Sequence, residues 1–257
     1  MRKNLTITSQ RWEKLSYRKN GDFSGTALIL IHGAVGDSRL FRHQIRYFGS
    51  RRKTIALDLP GHGHSDTGKI PTLDDFIDAI EDVIKAEGIS SFVLAGHSMG
   101  GGVSLEAWRR RIPGLRGMVL VSTSPRLPVS KDLLGILERD DMGALAELIV
   151  GTVFSKKIDL LIGFAKKGLE DMDRDMIKND LLICKTMDYT GQLDDIDIPV
   201  LVIANSGDRV ISPDMTAALH DGIERSRLVV FDMDGHVPFF ESPQAFNEAV
   251  EDFLNDL

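Results

Sequence analysis

The feature that most constrains this chain is an apolar run that ends in a serine surrounded by glycines. Residues Phe92–Gly102 read Phe-Val-Leu-Ala-Gly-His-Ser-Met-Gly-Gly-Gly, and a helical pattern follows from Val103. The segment Gly96–Gly100 fits the G-x-S-x-G pattern of a nucleophile elbow, a sharp turn between a strand and a helix with the serine at its tip. Glycines let neighbouring backbone pass close to such a strained turn. We therefore expect Ser98 to be a nucleophile; the alternative is an ordinary glycine-rich turn with an exposed serine.

Strands and helices alternate along most of the chain. The apolar runs that are typical of buried strands lie at 27–31, 54–57, 92–95, 117–122, 198–204 and 227–231. Amphipathic helical patterns separate most of them, which predicts βαβ units. The predicted fold class is therefore α/β, with a mostly parallel, doubly wound sheet that has helices on both faces. Residues 5–19 predict an antiparallel hairpin at the edge of the sheet.

The alternation stops between Pro125 and about Leu193. Four segments there have helical periodicity: Lys131–Arg139, Met142–Phe154, Lys156–Glu170 and Asp175–Tyr189. A helical insertion in an α/β sheet usually lies over the carboxyl ends of the strands, where ligands bind. We therefore expect a core formed by residues 1–124 and 194–257 and a helical cap, or lid, at 125–193. The apolar stripe of these helices favours a ligand with an apolar acyl or alkyl group. The alternative is that these helices only add to the hydrophobic core.

Composition argues against several classes of function. The 257 residues are 42% hydrophobic and 27% charged, with a net charge of −7. These values are typical of a globular protein and disfavour nucleic acid or an anionic membrane as a partner. The single cysteine, Cys184, allows no disulfide within the chain, and we see neither a signal-peptide pattern nor a membrane-spanning run. We expect a cytoplasmic protein with a small-molecule substrate, either a monomer or a homo-oligomer.

A serine nucleophile needs a base and an acid. Ser98 is a poor nucleophile unless a histidine takes its proton, and a carboxylate must hold that histidine in the right tautomer. His236 and Asp208 each follow a predicted strand, so we expect both at the carboxyl edge of the sheet together with Ser98. Asp214 and Asp232 are alternative acids. We predict a catalytic triad of Ser98, Asp208 and His236.

Two further histidines, His62 and His64, lie in one turn-rich loop. Their close spacing is the only feature that they share with metal ligands. We therefore predict no metal site and no cofactor.

Several motifs together resemble the α/β-hydrolase fold with a helical cap, over nearly the whole chain. The order of nucleophile, acid and histidine along the chain is the one expected of that family. The segments that carry the resemblance are His32–Ala34, Asp58–Ser65, Gly96–Gly101, Gly207–Arg209 and Asp234–His236. The resemblance implies that the backbone N–H groups of Ala34 and Met99 form an oxyanion hole.

The resemblance also implies a reaction class. Serine at the elbow argues against the branches with an aspartate nucleophile, such as haloalkane dehalogenases and epoxide hydrolases. We expect cofactor-independent hydrolysis of a small ester, thioester or lactone with an apolar acyl part, through an acyl-enzyme on Ser98. Carbon–carbon bond hydrolases of this fold often have tryptophan after the histidine, where this chain has Val237. That branch, a perhydrolase or haloperoxidase, and a receptor-like binder with little turnover stay open as alternatives.

Overall fold

Eight strands form a single sheet in the described part of the chain. The structure, a computed structural model, describes residues 3–9, 11–66, 68–139, 141–155, 169 and 173–257. The strands are β1 (Lys3–Ile7), β2 (Leu15–Asn20), β3 (Ala27–Ile31), β4 (Thr54–Leu57), β5 (Phe92–His97), β6 (Leu115–Val121), β7 (Val200–Asn205) and β8 (Ser226–Phe231). Their order is β1-β2-β4-β3-β5-β6-β7-β8. The β1–β2 and β2–β4 pairs are antiparallel and the others are parallel. The predicted fold class and edge hairpin are confirmed.

Helices cover both faces of this sheet. The helices are α1 (Arg42–Phe48), α2 (Leu73–Ala86), α3 (Met99–Arg109), α4 (Lys131–Glu138), α5 (Met142–Val153), α6 (Arg174–Thr186), α7 (Pro213–Gly222), α8 (Pro238–Glu241) and α9 (Pro243–Asn255), with 3-10 helices at Ser38–Phe41 and Thr190–Asp195. Strand β3 is buried along its whole length, and its side chains alternate between two core clusters. Ile29 packs in one cluster with Phe76 of α2, and Leu30 packs in the other with Phe246 of α9. This alternation is why the strand is continuously apolar in sequence.

The helices α4, α5 and α6 lie between β6 and β7. Three of the predicted helical segments of this insertion are confirmed, and the fourth, Lys156–Glu170, lies outside the described residues except for Leu169. The two ends of the insertion meet, since Arg126 forms an isolated β-bridge with Asp188 and the Tyr189 N–H donates to the Pro125 carbonyl at 2.9 Å. The domain boundaries at 125 and 193 stay a prediction.

None of the described helices combines the length and the apolar character that crossing a bilayer requires.

The elbow depends on a close approach of backbones around two glycines. A Cβ atom at Gly96, in β5, would lie 2.1 Å from the Gly100 carbonyl oxygen in α3. A Cβ atom at Gly100 would lie 2.4 Å from the Ile31 carbonyl oxygen at the end of β3. Both obstacles are backbone atoms, which cannot move aside as a flexible side chain can. Glycine is therefore required at both positions for α3 to start where it does.

We predict that Gly96→Ala lowers the free energy of unfolding by about 1–3 kcal/mol, because the added methyl overpacks this contact. Chemical denaturation of the purified variant measures the change. The matched control is Gly151→Ala in α5, where a Cβ would meet no atom within 4 Å. That substitution should stabilise the protein by about 0.5–1 kcal/mol through helix propensity alone. Equal effects of the two substitutions would contradict the packing argument.

Candidate active site

Ser98 lies between β5 and α3 in a strained conformation. Its φ and ψ angles are 52° and −117°, a combination that a non-glycine residue rarely adopts. The neighbouring strand holds the turn: the Ser98 N–H donates to the Val121 carbonyl at 3.0 Å, and Thr123 Oγ1 donates to the Ser98 carbonyl at 2.8 Å. The predicted strand–turn–helix is therefore present, with Ser98 at its tip.

His236 and Asp208 form a buried pair at the same edge of the sheet. His236 Nδ1 lies 2.7 Å from Asp208 Oδ2, and the two side chains are 4% and 1% exposed. Asp208 Oδ1 accepts from the N–H groups of Val210 and Ile211, at 2.9 and 3.1 Å. Because a carboxylate oxygen accepts from Nδ1, the ring nitrogen that remains to take up a proton is Nε2.

The alternative acids are engaged elsewhere. Asp232 accepts a hydrogen bond from the exposed Ser206 hydroxyl at 3.1 Å. Asp214 lies in the first turn of α7, where a negative charge suits the helix dipole. The structure therefore brings Asp208, and neither alternative, to His236.

The backbone of His236 is also held from two sides. Its N–H donates to the Val153 carbonyl at 2.7 Å, at the end of α5. Its carbonyl lies 2.9 Å from His97 Nε2. Burial, followed by the electrostatic effect of His236, lowers the pKa of His97 well below its ordinary value. His97 is therefore neutral, and its Nε2–H donates to the His236 carbonyl.

The β3 loop, which we define as residues His32–Gly36, lies beside Ser98. A Cβ atom at Gly33 would lie 3.0 Å from the Ser98 Cβ, so no side chain separates the loop from the serine. Among the described residues, neither the Ala34 N–H nor the Met99 N–H donates a hydrogen bond within the loops and turns. The two N–H groups predicted as oxyanion donors are therefore not engaged by the surrounding backbone.

His32 holds this loop from within. Its Nε2 accepts from the Leu59 N–H at 3.1 Å, so Nδ1 carries the proton and donates to the Gly33 carbonyl at 2.8 Å. Burial, and then the electrostatic effect of His62, lower the pKa of His32 from 6.5 to about 4. The neutral ring is the form that makes both hydrogen bonds.

Sequence reasoning missed Asp180, a residue of α6 that contacts two loops of the core. Its Oδ2 accepts from the Val35 N–H at 2.8 Å and lies 2.9 Å from His62 Nε2. The other His62 nitrogen lies 3.1 Å from the Pro60 carbonyl. Burial lowers the pKa of His62, but the charge and hydrogen bond of Asp180 outweigh it and the net pKa is raised. No signal in the sequence distinguishes Asp180 from the other acidic residues of the insertion.

A cavity of about 230 Å³ connects these elements. Of the predicted site residues, Ala34, Ser98 and His236 line it; Asp208 lies behind His236, and the Met99 side chain is fully buried. The rest of the lining is mainly apolar and comes largely from the insertion: Leu127, Val129, Leu133, Leu145, Leu148, Ile149, Val153, Phe154, Leu169, Ile177, Leu181 and Cys184.

His62 and His64 lie in the same loop after β4. His62 is paired with Asp180, and in the part of the chain that the structure describes no group of three or more His, Cys, Asp and Glu side chains is arranged to hold a metal ion.

Comparison with known proteins agrees with this architecture. The sequence matches the model of the alpha/beta hydrolase family over residues 28–249. It is 27% identical to a pimeloyl-[acyl-carrier protein] methyl ester esterase of Neisseria meningitidis serogroup C, over 88% of this chain and 93% of that protein. It is 22% identical to 3-oxoadipate enol-lactonase 1 of Acinetobacter baylyi, over 99% of this chain and 98% of that protein.

Solved structures are similar over the same extent. A thermophilic esterase superposes with a TM-score of 0.86 at 27% identity, covering 100% of this chain and 98% of the other. The enol-lactonase of Burkholderia xenovorans superposes with a TM-score of 0.87 at 20% identity, covering 98% and 100%. The second likeness concerns the fold alone.

We predict that His32 makes the protein less stable in acid. Because its folded-state pKa is lowered, the unfolded chain binds the proton more readily, and stability is lost as the pH falls from about 6.5 towards 4. Between pH 7 and pH 5, the wild type should lose about 2 kcal/mol more than His32→Asn in free energy of unfolding. Urea unfolding at the two pH values measures this difference. His62 contributes with the opposite sign, and removing the His32 ring favours its protonation further, which enlarges the difference between the two proteins; an equal pH dependence would contradict the prediction.

Proposed function

The chain belongs to the alpha/beta hydrolase family, and we propose that it is a serine hydrolase that cleaves a small ester, thioester or lactone with an apolar acyl part. One observation carries the proposal. Ser98, on its strained turn, and His236, paired with the buried Asp208, border the same apolar cavity. Esterase and lactonase relatives support hydrolysis of this bond class.

In the proposed mechanism, acylation begins at Ser98. Its Oγ attacks the carbonyl carbon while His236 Nε2 takes the proton. The oxyanion of the tetrahedral intermediate accepts hydrogen bonds from the Ala34 and Met99 N–H groups, which donate to no backbone group within the described loops and turns. When the intermediate collapses, the bond to the alcohol breaks and His236 returns the proton to the leaving oxygen. An acyl-enzyme on Ser98 remains.

Water completes the cycle. His236 removes a proton from a water molecule, whose oxygen attacks the acyl carbonyl. The second intermediate expels Ser98, which regains its proton from His236, and the free acid leaves. Asp208 accepts from the Nδ1–H of His236 throughout, which orients the ring and stabilises the imidazolium that forms twice in each cycle. None of these steps needs a cofactor.

The cavity supports a small, apolar acyl group. Its volume of about 230 Å³ is below the range of about 300–1,000 Å³ that is usual for drug-sized ligands. The charged residues at its wall, Asp37 and Arg39, bind each other at 2.7 Å, so they carry little net charge towards a substrate. We propose that the insertion 125–193 is the cap that provides this apolar wall.

We also propose a cytoplasmic location. The thiol of Cys184 is free and buried, as is common in a reducing compartment.

Burial, and then the charge of Asp180, raise the pKa of the Cys184 thiol. The thiol is therefore a poor nucleophile and does not compete with Ser98.

We predict that Ser98→Ala lowers kcat for p-nitrophenyl butyrate by at least about 1,000-fold and abolishes the covalent adduct with a fluorophosphonate. Intact-protein mass spectrometry and an absorbance assay measure the two effects. The control is Ser206→Ala, an exposed serine at the same edge of the sheet, which should keep both within about twofold of the wild type. Turnover that survives in Ser98→Ala would remove Ser98 from the mechanism. A wild-type protein that forms the fluorophosphonate adduct but does not hydrolyse the ester would favour a ligand-binding role.

We predict that Leu181→Trp shifts the preference towards shorter acyl chains, because Leu181 lines the cavity. The ratio of kcat/KM for the p-nitrophenyl hexanoate ester to that for the acetate should fall about tenfold or more. The matched control is Leu182→Trp, on the same helix but 47% exposed, which should leave the ratio unchanged. The same shift in both variants would show that the cavity does not bind the acyl chain.

A further inference from the structure

Asp180 stands out because a carboxylate of the insertion is buried against the core. Its side chain is 0% exposed, and burial of a carboxylate is costly unless hydrogen bonds compensate it. The compensation comes from the Val35 N–H at 2.8 Å and from His62 at 2.9 Å. Both belong to core loops, one following β3 and the other following β4. We propose that Asp180 is a positioning residue that holds the β3 loop in the geometry needed for oxyanion stabilisation.

The β3 loop needs such a support because its turn is strained. The Gly36 N–H donates to the Gly33 carbonyl at 3.1 Å, which closes a four-residue turn. The third residue of this turn, Val35, has a φ of 60°. That conformation suits glycine or asparagine, whereas a β-branched residue is strained in it. A contact from outside the loop must stabilise the turn, and Asp180 contacts the strained residue itself.

The strained residue is adjacent to the proposed oxyanion donor. The peptide that carries the Ala34 N–H also carries the Gly33 carbonyl, which accepts the hydrogen bond that closes the turn. Relaxation of Val35 towards a negative φ breaks that hydrogen bond and lets this peptide rotate, so that the Ala34 N–H no longer points to the position of the oxyanion beside Ser98. A misplacement of about 1 Å at a reacting centre can lower a rate about 100-fold.

The carboxylate is itself fixed by the core. His62 lies between Asp180 Oδ2 and the Pro60 carbonyl, with contacts of 2.9 and 3.1 Å to its two ring nitrogens. Within the described residues, Asp180 Oδ1 has no hydrogen-bond partner, so both contacts of the carboxylate run through Oδ2. The donors of the two core loops therefore converge on one oxygen atom.

The inference rests on the proposed function and is tested with the full chain and p-nitrophenyl butyrate. Asp180→Leu fills the same space without an acceptor, and we expect kcat to fall about 10- to 100-fold while KM changes less than about threefold. Asp180→Asn keeps an oxygen acceptor for the Val35 N–H, and its kcat should stay within about fivefold of the wild type. The matched control is Asn179→Ala, which removes the hydrogen bond of 2.8 Å from the same helix to the Pro71 carbonyl and should leave kcat unchanged.

The inference is overturned if Asp180→Leu keeps the wild-type kcat, if the loss appears in KM alone, or if Asn179→Ala loses as much. It is also overturned if Asp180→Asn loses as much kcat as Asp180→Leu, since the acceptor oxygen would then not matter. Circular dichroism and the Tm identify folded variants, and Asp180→Ala replaces Asp180→Leu if the latter does not fold. The proposed function fails separately, when Ser98→Ala still hydrolyses the ester.

Discussion

The close packing of three backbone segments at the carboxyl edge of the sheet is the constraint on which the site depends. Gly33, Gly96 and Gly100 lie where the β3 loop, β5 and α3 meet, and an added Cβ at each would approach a neighbouring atom to less than 3.0 Å. Because β3 and β5 are adjacent and parallel, their ends reach the same edge. The absence of three side chains there allows Ser98 to lie at the tip of its turn with the β3 loop directly beside it.

Much of this architecture could be predicted from the sequence, because the signals are local. Strands that are buried on both faces are continuously apolar, as β3 is, and Thr72 and Asp75 form the capping box that starts α2. The pairing of Asp208 with His236 follows from a general property of parallel sheets, in which loops after separate strands meet at one edge. Residue types, chain order and topology were sufficient for that prediction.

The contacts between the insertion and the core could not be predicted in the same way. They depend on where α5 and α6 lie, and helical periodicity does not encode that position. The Val153 carbonyl, which accepts from the His236 N–H, is a backbone group without any sequence signature. Val35 has a positive φ although β-branched residues disfavour it, so turn propensities indicate the wrong conformation there. Tertiary contacts, such as the one from Asp180, override the local preference.

Because the two ends of the insertion meet, the insertion can be exchanged without rebuilding the core. Arg126 and Asp188 are bridged, and Tyr189 is hydrogen-bonded to Pro125, so the chain leaves and re-enters the core at one place. A segment of another length or shape could be spliced in between these residues without changing the order of the strands. Ser98, Asp208 and His236, the proposed catalytic residues, all lie outside the segment between these points. Asp180 and the Val153 carbonyl lie between these points and accept from the Val35 and His236 N–H groups. A segment that replaces the insertion can therefore change the shape of the pocket freely only if it again offers acceptors to these two loops.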